Sequence, residues 1–468
     1  MTTSSMPRMG DMPTREGDLT IESRGIEPIP EASRYGSVNR VFTVWFTPNL
    51  VPAAFFIGLL AAAPFLQVGF TTGLIAIVVG NLIGATLVGL LSQMGPATGM
   101  AQVPLSRLAY GKSIVVPGIL NWISCIGWDG INSVFGAAAL SILTGLPFIG
   151  SLVILVVIQA LLSIVGHEAI HLFEKWMAIV LGVMFAILTV AIAGQASTGI
   201  ARVDGMTGQD GLGAFVLFAS ITASFVVAWG LYASDYSRYL APTASKSKVF
   251  WFTVLGLTLS AGWIETLGLL VADKASGGAV DTINSILSGS ILAPLAMLAI
   301  AIGTIAVNAM NDYTGSLSIQ GAGLRIPRVY SAIAVAILGF LFTLYLNSGD
   351  LVGKFEGYLL FIIYWVTPWA GVVLADWWMR GGKADVSRLA DYASLPSGFA
   401  GLASLIIGFV VSLPFGTSPF GDEIAKATGL PINGLAAQLH YADIAYVVGF
   451  VVAFGVYWVL AKAMPSKA

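Results

Sequence analysis

Apolar runs of about 20 residues recur along this chain, each long enough to cross a bilayer, and no other feature restricts the fold as much. Twelve such segments run approximately 41–65, 70–93, 114–144, 147–166, 175–194, 213–240, 249–271, 289–312, 329–347, 356–378, 397–415 and 441–462. In hydrocarbon, each backbone N–H and C=O must be satisfied within the spanning structure, so continuous runs of this length are helices. A membrane β-barrel would show short alternating stretches instead. The expectation is an all-α membrane protein with twelve transmembrane helices embedded in a lipid bilayer. Composition agrees: 10% of residues are charged and 57% hydrophobic, with a mean hydropathy of +0.86. A soluble domain carries about 25% charged residues. The net charge of −2 gives no basis for binding nucleic acid, and the lone Cys125 excludes an internal disulfide.

Residues 1–40 are polar and read as an N-terminal tail, largely disordered over residues 1–30. The first apolar run starts too far into the chain for an ordinary secretory signal peptide, and no lipidation motif is present. With alternating spans, all but four of the 22 Lys and Arg fall on the side of that tail; the four are Arg202, Lys274, Lys354 and Lys426. The positive-inside rule then places both termini in the cytoplasm, and the expected location is the plasma membrane. Pro48, Asn49 and Pro52 interrupt the first span, and Gly230 follows Trp229 in the sixth. Breaks at corresponding places in two halves imply inverted repeats of five spans with a site at the break. The domain 41–462 then divides into a first repeat, 41–194, a second, 213–378, and two accessory helices within 397–462.

Polar groups inside apolar spans are costly and mark pathways or binding sites. In the third span Trp128 and Asn132 are four apart and share a helix face, with Asp129 beside them. An indole stacks on flat heterocycles, and a carboxamide both donates to and accepts from a base edge. The alternative is that Trp128 packs against a neighbouring helix and Asn132 joins helices. Asp129 suits three roles: contacting substrate, carrying a proton, or bridging helices. Phe225 and Trp229 in the sixth span are also four apart and offer the opposite wall of an aromatic sandwich. Asn308, Asn311 and Asp312 close the eighth segment, as substrate contacts or as a helix cap. Glu265 lies inside the seventh span, and Glu174 sits by His171 at the start of the fifth, where a solvated loop is the simpler reading. None of these carboxylates has a nucleophile–base partner or the spacing of a catalytic metal site, so an enzyme is not expected.

The motifs Gly25-Ile-Glu-Pro-Ile-Pro, Trp45-Phe-Thr-Pro-Asn49, Gly95…Gly99, Ser106-Arg107…Gly111, Gly127-Trp128, Ile170-His171-Leu-Phe-Glu174, Ser234-Asp235-Tyr-Ser-Arg238-Tyr, Asn308-Ala-Met-Asn311 and Tyr364-Trp365 occur in this order. In order and spacing they resemble the nucleobase–cation symporter-1 family, specifically its purine–cytosine permease branch. The resemblance implies a LeuT-type fold, a 5+5 inverted repeat plus two helices, working by alternating access. It also implies a base stacked between Trp128 and Trp229 or Phe225. Asn132, Asn308, Asn311 and Asp312 would read its edge, with backbone from the unwound segment at Asn49. Sodium-coupled members place adjacent hydroxyl residues just before the Asn matched by Asn308, where this chain has Ala306 and Val307, with Thr304 earlier. A hard cation needs several oxygen ligands. The resulting expectation is proton coupling, with Asp129, Glu174 and Glu265 as candidate carriers, sodium being the alternative.

The functional expectation is a symporter that imports a small nucleobase, cytosine or a purine, and needs no cofactor. The alternatives are a transporter for another heterocycle, such as a hydantoin, uracil, allantoin or a vitamin ring, and an uncoupled facilitator. Oligomeric state is not legible in the sequence.

Overall fold

A computed structural model describes residues 27–464, apart from 35, 166, 196–202, 276, 325 and 430–431. Among these residues all regular structure is helical. Among the described residues nine helices are long and apolar enough to cross a membrane, and the pair Arg40–Asn49 and Pro52–Ala62, bent by 62° at its break, makes a further span. Two shorter apolar helices, Phe148–Ser163 and Phe399–Phe415, complete the series of twelve.

The first span is the bent pair. The second is Phe70–Ser92, the third Val115–Thr144, the fourth Phe148–Val165 and the fifth His167–Gln195. The sixth, Gly208–Ser237, loosens to a 3-10 turn over Ala228–Tyr232, and the seventh is Lys246–Val271. The eighth to twelfth are Leu292–Gly321, Arg328–Leu346, Leu351–Met379, Phe399–Ser412 and Ala445–Ala463.

Two boundaries differ from the hydropathy reading in ways that matter for function. The eighth helix continues nine residues past Asp312, to Gly321, so Asn308, Asn311 and Asp312 lie inside the span and do not cap it. Their side chains are buried against the third span, which removes any reason for the helix to stop there. The fifth helix starts at His167, so His171 and Glu174 belong to a helix rather than to a loop.

Packing shows the twofold repeat that sequence identity hides. The first span packs on the seventh, and its counterpart contact, the sixth on the second, is equally prominent. The eighth packs on the fourth as the third does on the ninth, while third with eighth and second with seventh map onto themselves. This exchange of each span with the one five later, and a break in both the first and the sixth, is the LeuT-type arrangement.

On the side of the tail the bundle is tied together. Ile29 N–H donates to Gly99 O at 2.9 Å, and Arg34 Nη1 donates to Pro96 O at 2.8 Å, seating residues 27–34 on the end of the second span. Arg107 is buried and donates to the carbonyls of Gly321 and Leu389 at 2.5–3.0 Å.

The first and seventh spans cross on glycine. A Cβ on Gly58 would stand 1.9 Å from Glu265 O, and one on Gly268 would stand 2.0 Å from Phe55 O. Because the obstruction is backbone, it cannot turn aside. Gly58→Ala should cost at least the ~1–3 kcal/mol of an overpacked core, read as a lowered melting temperature in detergent. Gly150→Ala, inside the fourth span where a Cβ would meet nothing within 4 Å, should not lower it.

Candidate functional site

A helix that breaks within lipid frees backbone groups, and the break in the first span is mended by one side chain. Asn49, fully buried, donates from Nδ2 to Trp45 O at 2.9 Å and to Ser260 Oγ at 3.0 Å. Its Oδ1 accepts from Trp229 Nε1 at 3.0 Å. One carboxamide thus joins the first, sixth and seventh spans where the first and sixth both lose α-helical geometry. The side chain of Asn49 is consumed by the break, and the flanking Pro48 and Val51 face the adjoining cavity.

That cavity lies between the two breaks and the third and eighth spans. Its walls are Pro48, Val51, Trp128, Asn132, Phe225, Ala228, Trp229, Tyr232, Val307 and Asn311. Trp128 meets Phe225 edge to face, ring centres 5.6 Å apart, and Tyr358 likewise at 5.3 Å. Trp229 meets Trp45 at 6.1 Å and Tyr232 at 5.9 Å. Both sixth-span aromatics therefore belong to the wall, one packed on Trp128 and one pinned by Asn49. The free space between them is narrow, about 40 Å³.

Behind the wall lies a polar layer. Asn308 is fully buried and donates from Nδ2 to the backbone carbonyl of Asp129 at 3.0 Å, to Ser133 Oγ at 2.9 Å and to Gln159 Oε1 at 3.1 Å. The carbonyl can only accept, which fixes the amide, so Oδ1 of Asn308 faces the other way. There it accepts from Asn132 Nδ2 at 3.2 Å and from Asn311 Nδ2 at 3.4 Å. These two residues line the cavity with their amino groups turned inward on Asn308. Their own Oδ1 atoms accept no hydrogen bond among the described residues. The cavity thus offers two open acceptors, together with whatever N–H capacity the two amides retain.

The remaining candidates stand apart from the cavity. Asp129 is one residue, and so about 100°, around the helix from Trp128; it turns toward the fourth and ninth spans. There its Oδ2 accepts from Gln159 Nε2 at 2.6 Å and its Oδ1 faces Gly339. Asp312, also buried, faces it from the eighth span. Neither Asp129 Oδ1 nor either oxygen of Asp312 meets a donor among the described residues. Glu265 ties the seventh span to the second, accepting from Asn81 Nδ2 at 2.5 Å, and has no part in the cavity wall. The side chain of Glu174 lies outside the described residues. At the eighth-span positions where a hard cation would require oxygen, Ala306 is buried, Val307 lines the cavity, and Thr304 is turned against Gly136 of the third span.

Sequence reasoning missed Gln159, Tyr232 and Tyr358. Gln159 carries the signal that picked out Asp129, a polar side chain in mid-span. The two tyrosines are ordinary for a span until their neighbours are known: Tyr358 donates to Ser124 O at 2.7 Å and Tyr232 OH lies 3.2 Å from Cys125 Sγ.

A second and much larger cavity, about 1260 Å³, opens at the end of the bundle away from the tail. Phe56 and Glu356 line it, and Phe56 packs on Phe135 and Phe355 at ring distances of 5.5 and 5.3 Å. Phe135 stands about two turns beyond Trp128 on the same helix, so this aromatic layer separates the two cavities.

Residues 28–460 match a protein family described as permeases for cytosine/purines, uracil, thiamine and allantoin. The purine-cytosine permease fcyB of Emericella nidulans is 28% identical over 84% of this chain and 81% of its own length. The putative purine-cytosine permease YxlA of Bacillus subtilis is 27% identical over 96% of this chain and 98% of its own. Among solved structures, the nucleobase-cation-symport-1 family transporter Mhp1, closed with bromovinylhydantoin bound, aligns over 96% of this chain and 98% of its own. Its TM-score is 0.74 at 16% identity, a likeness of fold.

The layered arrangement separates scaffold from wall. Asn308→Asp keeps the shape but sets an acceptor against the Asp129 carbonyl; it should cost about 1–3 kcal/mol for each buried hydrogen bond broken, read as a lowered melting temperature. Asn132→Ala removes one long hydrogen bond; it should leave the melting temperature nearly unchanged and weaken ligand binding.

Proposed function

The chain belongs to the family of permeases for cytosine/purines, uracil, thiamine and allantoin, and from that premise we propose that it is a symporter importing cytosine or purine bases together with a proton. As a member of a permease family it is a multi-pass membrane transporter and not an enzyme.

The observation that carries the substrate reading is the cavity wall: Trp128, Phe225 and Trp229 around a narrow space, with the open Oδ1 acceptors of Asn132 and Asn311. A flat ring inserts between the aromatic faces, and its amino group or ring N–H donates to those oxygens. Cytosine, adenine and guanine each carry both kinds of donor. Relatives named as purine-cytosine permeases support the same class. Alternating access is the motion that suits this layout: the large cavity opens away from the tail, an aromatic layer separates it from the small one, and Arg107 and Arg34 tie the opposite end. Import then runs from the large cavity to the tail side, with both termini in the cytoplasm and the bundle in the plasma membrane.

Proton coupling is supported by the paired carboxyls. Asp129 and Asp312 lie against each other in a buried layer with three oxygens lacking a donor. Two like charges this close repel, and one proton shared between the groups pairs two of those three oxygens. The apolar residues at Ala306 and Val307 count against a sodium site between the first and eighth spans.

The test is uptake of labelled cytosine into proteoliposomes under a pH gradient or a sodium gradient imposed separately, with adenine, guanine, hypoxanthine, uracil, hydantoin and allantoin as competitors. Accumulation driven by acidic outside pH and competed by purines is the expected result. Uptake that follows sodium and ignores pH would overturn the coupling, and competition by hydantoin or allantoin alone would overturn the substrate class. Trp128→Ala should raise the half-saturating concentration by about tenfold or more, from the ~0.5–1.5 kcal/mol of ring contact and the added loss of buried area.

A further inference from the structure

The polar layer contains one residue with a hand on each side of it. Gln159, in the middle of the apolar fourth span and fully buried, donates from Nε2 to the Asp129 carboxyl at 2.6 Å and accepts at Oε1 from Asn308 Nδ2 at 3.1 Å. An amide that gives its N–H to a carboxylate must turn its carbonyl the other way, so the charge on Asp129 fixes which atom of Gln159 Asn308 meets.

Asn308 has three acceptors around Nδ2, namely Asp129 O, Ser133 Oγ and Gln159 Oε1, but only two hydrogens to give them. The three acceptors therefore compete. While Asp129 is a carboxylate, it polarises Gln159 and strengthens Oε1 as an acceptor, and Asn308 is held toward the fourth span. When Oδ1, the oxygen without a donor, takes a proton, Oδ2 loses its charge and becomes a weaker acceptor for Gln159 Nε2. Gln159 is then less polarised, its Oε1 competes less well for the hydrogens of Asn308, and the hydrogen bond between the two amides weakens. Asn308 keeps its two partners on the third span, and its Oδ1, which holds Asn132 and Asn311 in the cavity wall, moves with it.

From this geometry we infer that Gln159 is the positioning residue through which the protonation state of Asp129 sets the affinity of the cavity for its base. The inference rests on proton coupling as proposed above and names the side chain that transmits it. The titratable groups facing Asp129 are few. The eighth span presents Asp312 and the third presents Cys125, one turn earlier. Beyond these, Tyr232 of the sixth span faces Cys125, and Tyr358 of the tenth meets Trp128 and the Ser124 carbonyl. The fourth span offers Gln159 and the ninth the Gly339 backbone. Gln159 is the residue among these that touches both Asp129 and the amide layer.

The experiment is equilibrium binding of labelled cytosine to the purified full-length protein in sodium-free buffer from pH 5 to 8, without a gradient. Wild-type affinity should rise as pH falls, by up to about tenfold per unit for one linked proton. Gln159→Leu, which can neither donate nor accept, should flatten that dependence to less than about twofold over the range. Gln159→Glu keeps the size and adds a proton site that mimics the amide only when protonated, so its dependence should be steeper than wild type. An unchanged wild-type slope in Gln159→Leu, with folding verified, would overturn this inference and leave proton coupling standing. Should Gln159→Leu fail to fold, Gln159→Glu decides alone, and a slope equal to wild type overturns the inference. Cytosine binding that ignores pH in the wild type would remove the coupling reading and this inference together.

Discussion

Everything at the centre of this bundle depends on polar groups finding partners where no water supplies them. The carboxamide of Asn49 shows the requirement at its most concentrated. A broken helix in hydrocarbon leaves a carbonyl without its N–H, and several kcal/mol would be lost for each such group left unmet. Asn49 returns a donor to Trp45 O, reaches Ser260 on the seventh span with the same nitrogen, and takes the indole N–H of Trp229 on its oxygen. The bend of 62° in the first span and the position of Trp229 in the cavity wall are thus held by one side chain. Asn308 does the same for the facing half, joining the third, fourth and eighth spans. Two asparagines on opposite sides of a narrow cavity let two half-bundles meet there without a continuous apolar seam.

The fold was highly legible because its controlling variable, the length of apolar runs, is one-dimensional. The repeat was legible only as two breaks, at Pro48–Pro52 and at Trp229–Gly230; its confirmation is in which helices touch, which no local pattern encodes. Site residues were legible in proportion to how far helical periodicity decides their direction. Trp128 and Asn132, four apart, do share the cavity face, and Phe225 and Trp229 both reach it. Asp129 needed knowledge of what lies 100° around the helix, which is set by the fourth and ninth spans. The extent of the eighth helix was misjudged because Asn and Asp in sequence suggest a cap, whereas burial against the third span lets the helix run through them.

The amide layer also bears on selectivity. Because the carbonyl of Asp129 fixes Asn308, the orientation of Asn132 and Asn311 is inherited from backbone rather than chosen by each residue. On the proposed reading, such a cavity discriminates by the cost of leaving its own buried acceptors unpaired, which separates ligands more strongly than a change in apolar contact does. Replacing either asparagine alters one acceptor; replacing Asn308 alters both at once.

The contact between Tyr232 and Cys125 has a practical side. Cys125 is the chain's single cysteine, buried on the third span one turn before the Trp128 wall. A maleimide or spin label added to the native protein has one address, and it is closed while Tyr232 lies over it. Under the alternating access proposed above, the rate of labelling would report how readily the sixth span lifts from the third. A reporter for such a motion is built into the chain, with no need to strip other thiols or to engineer a new one.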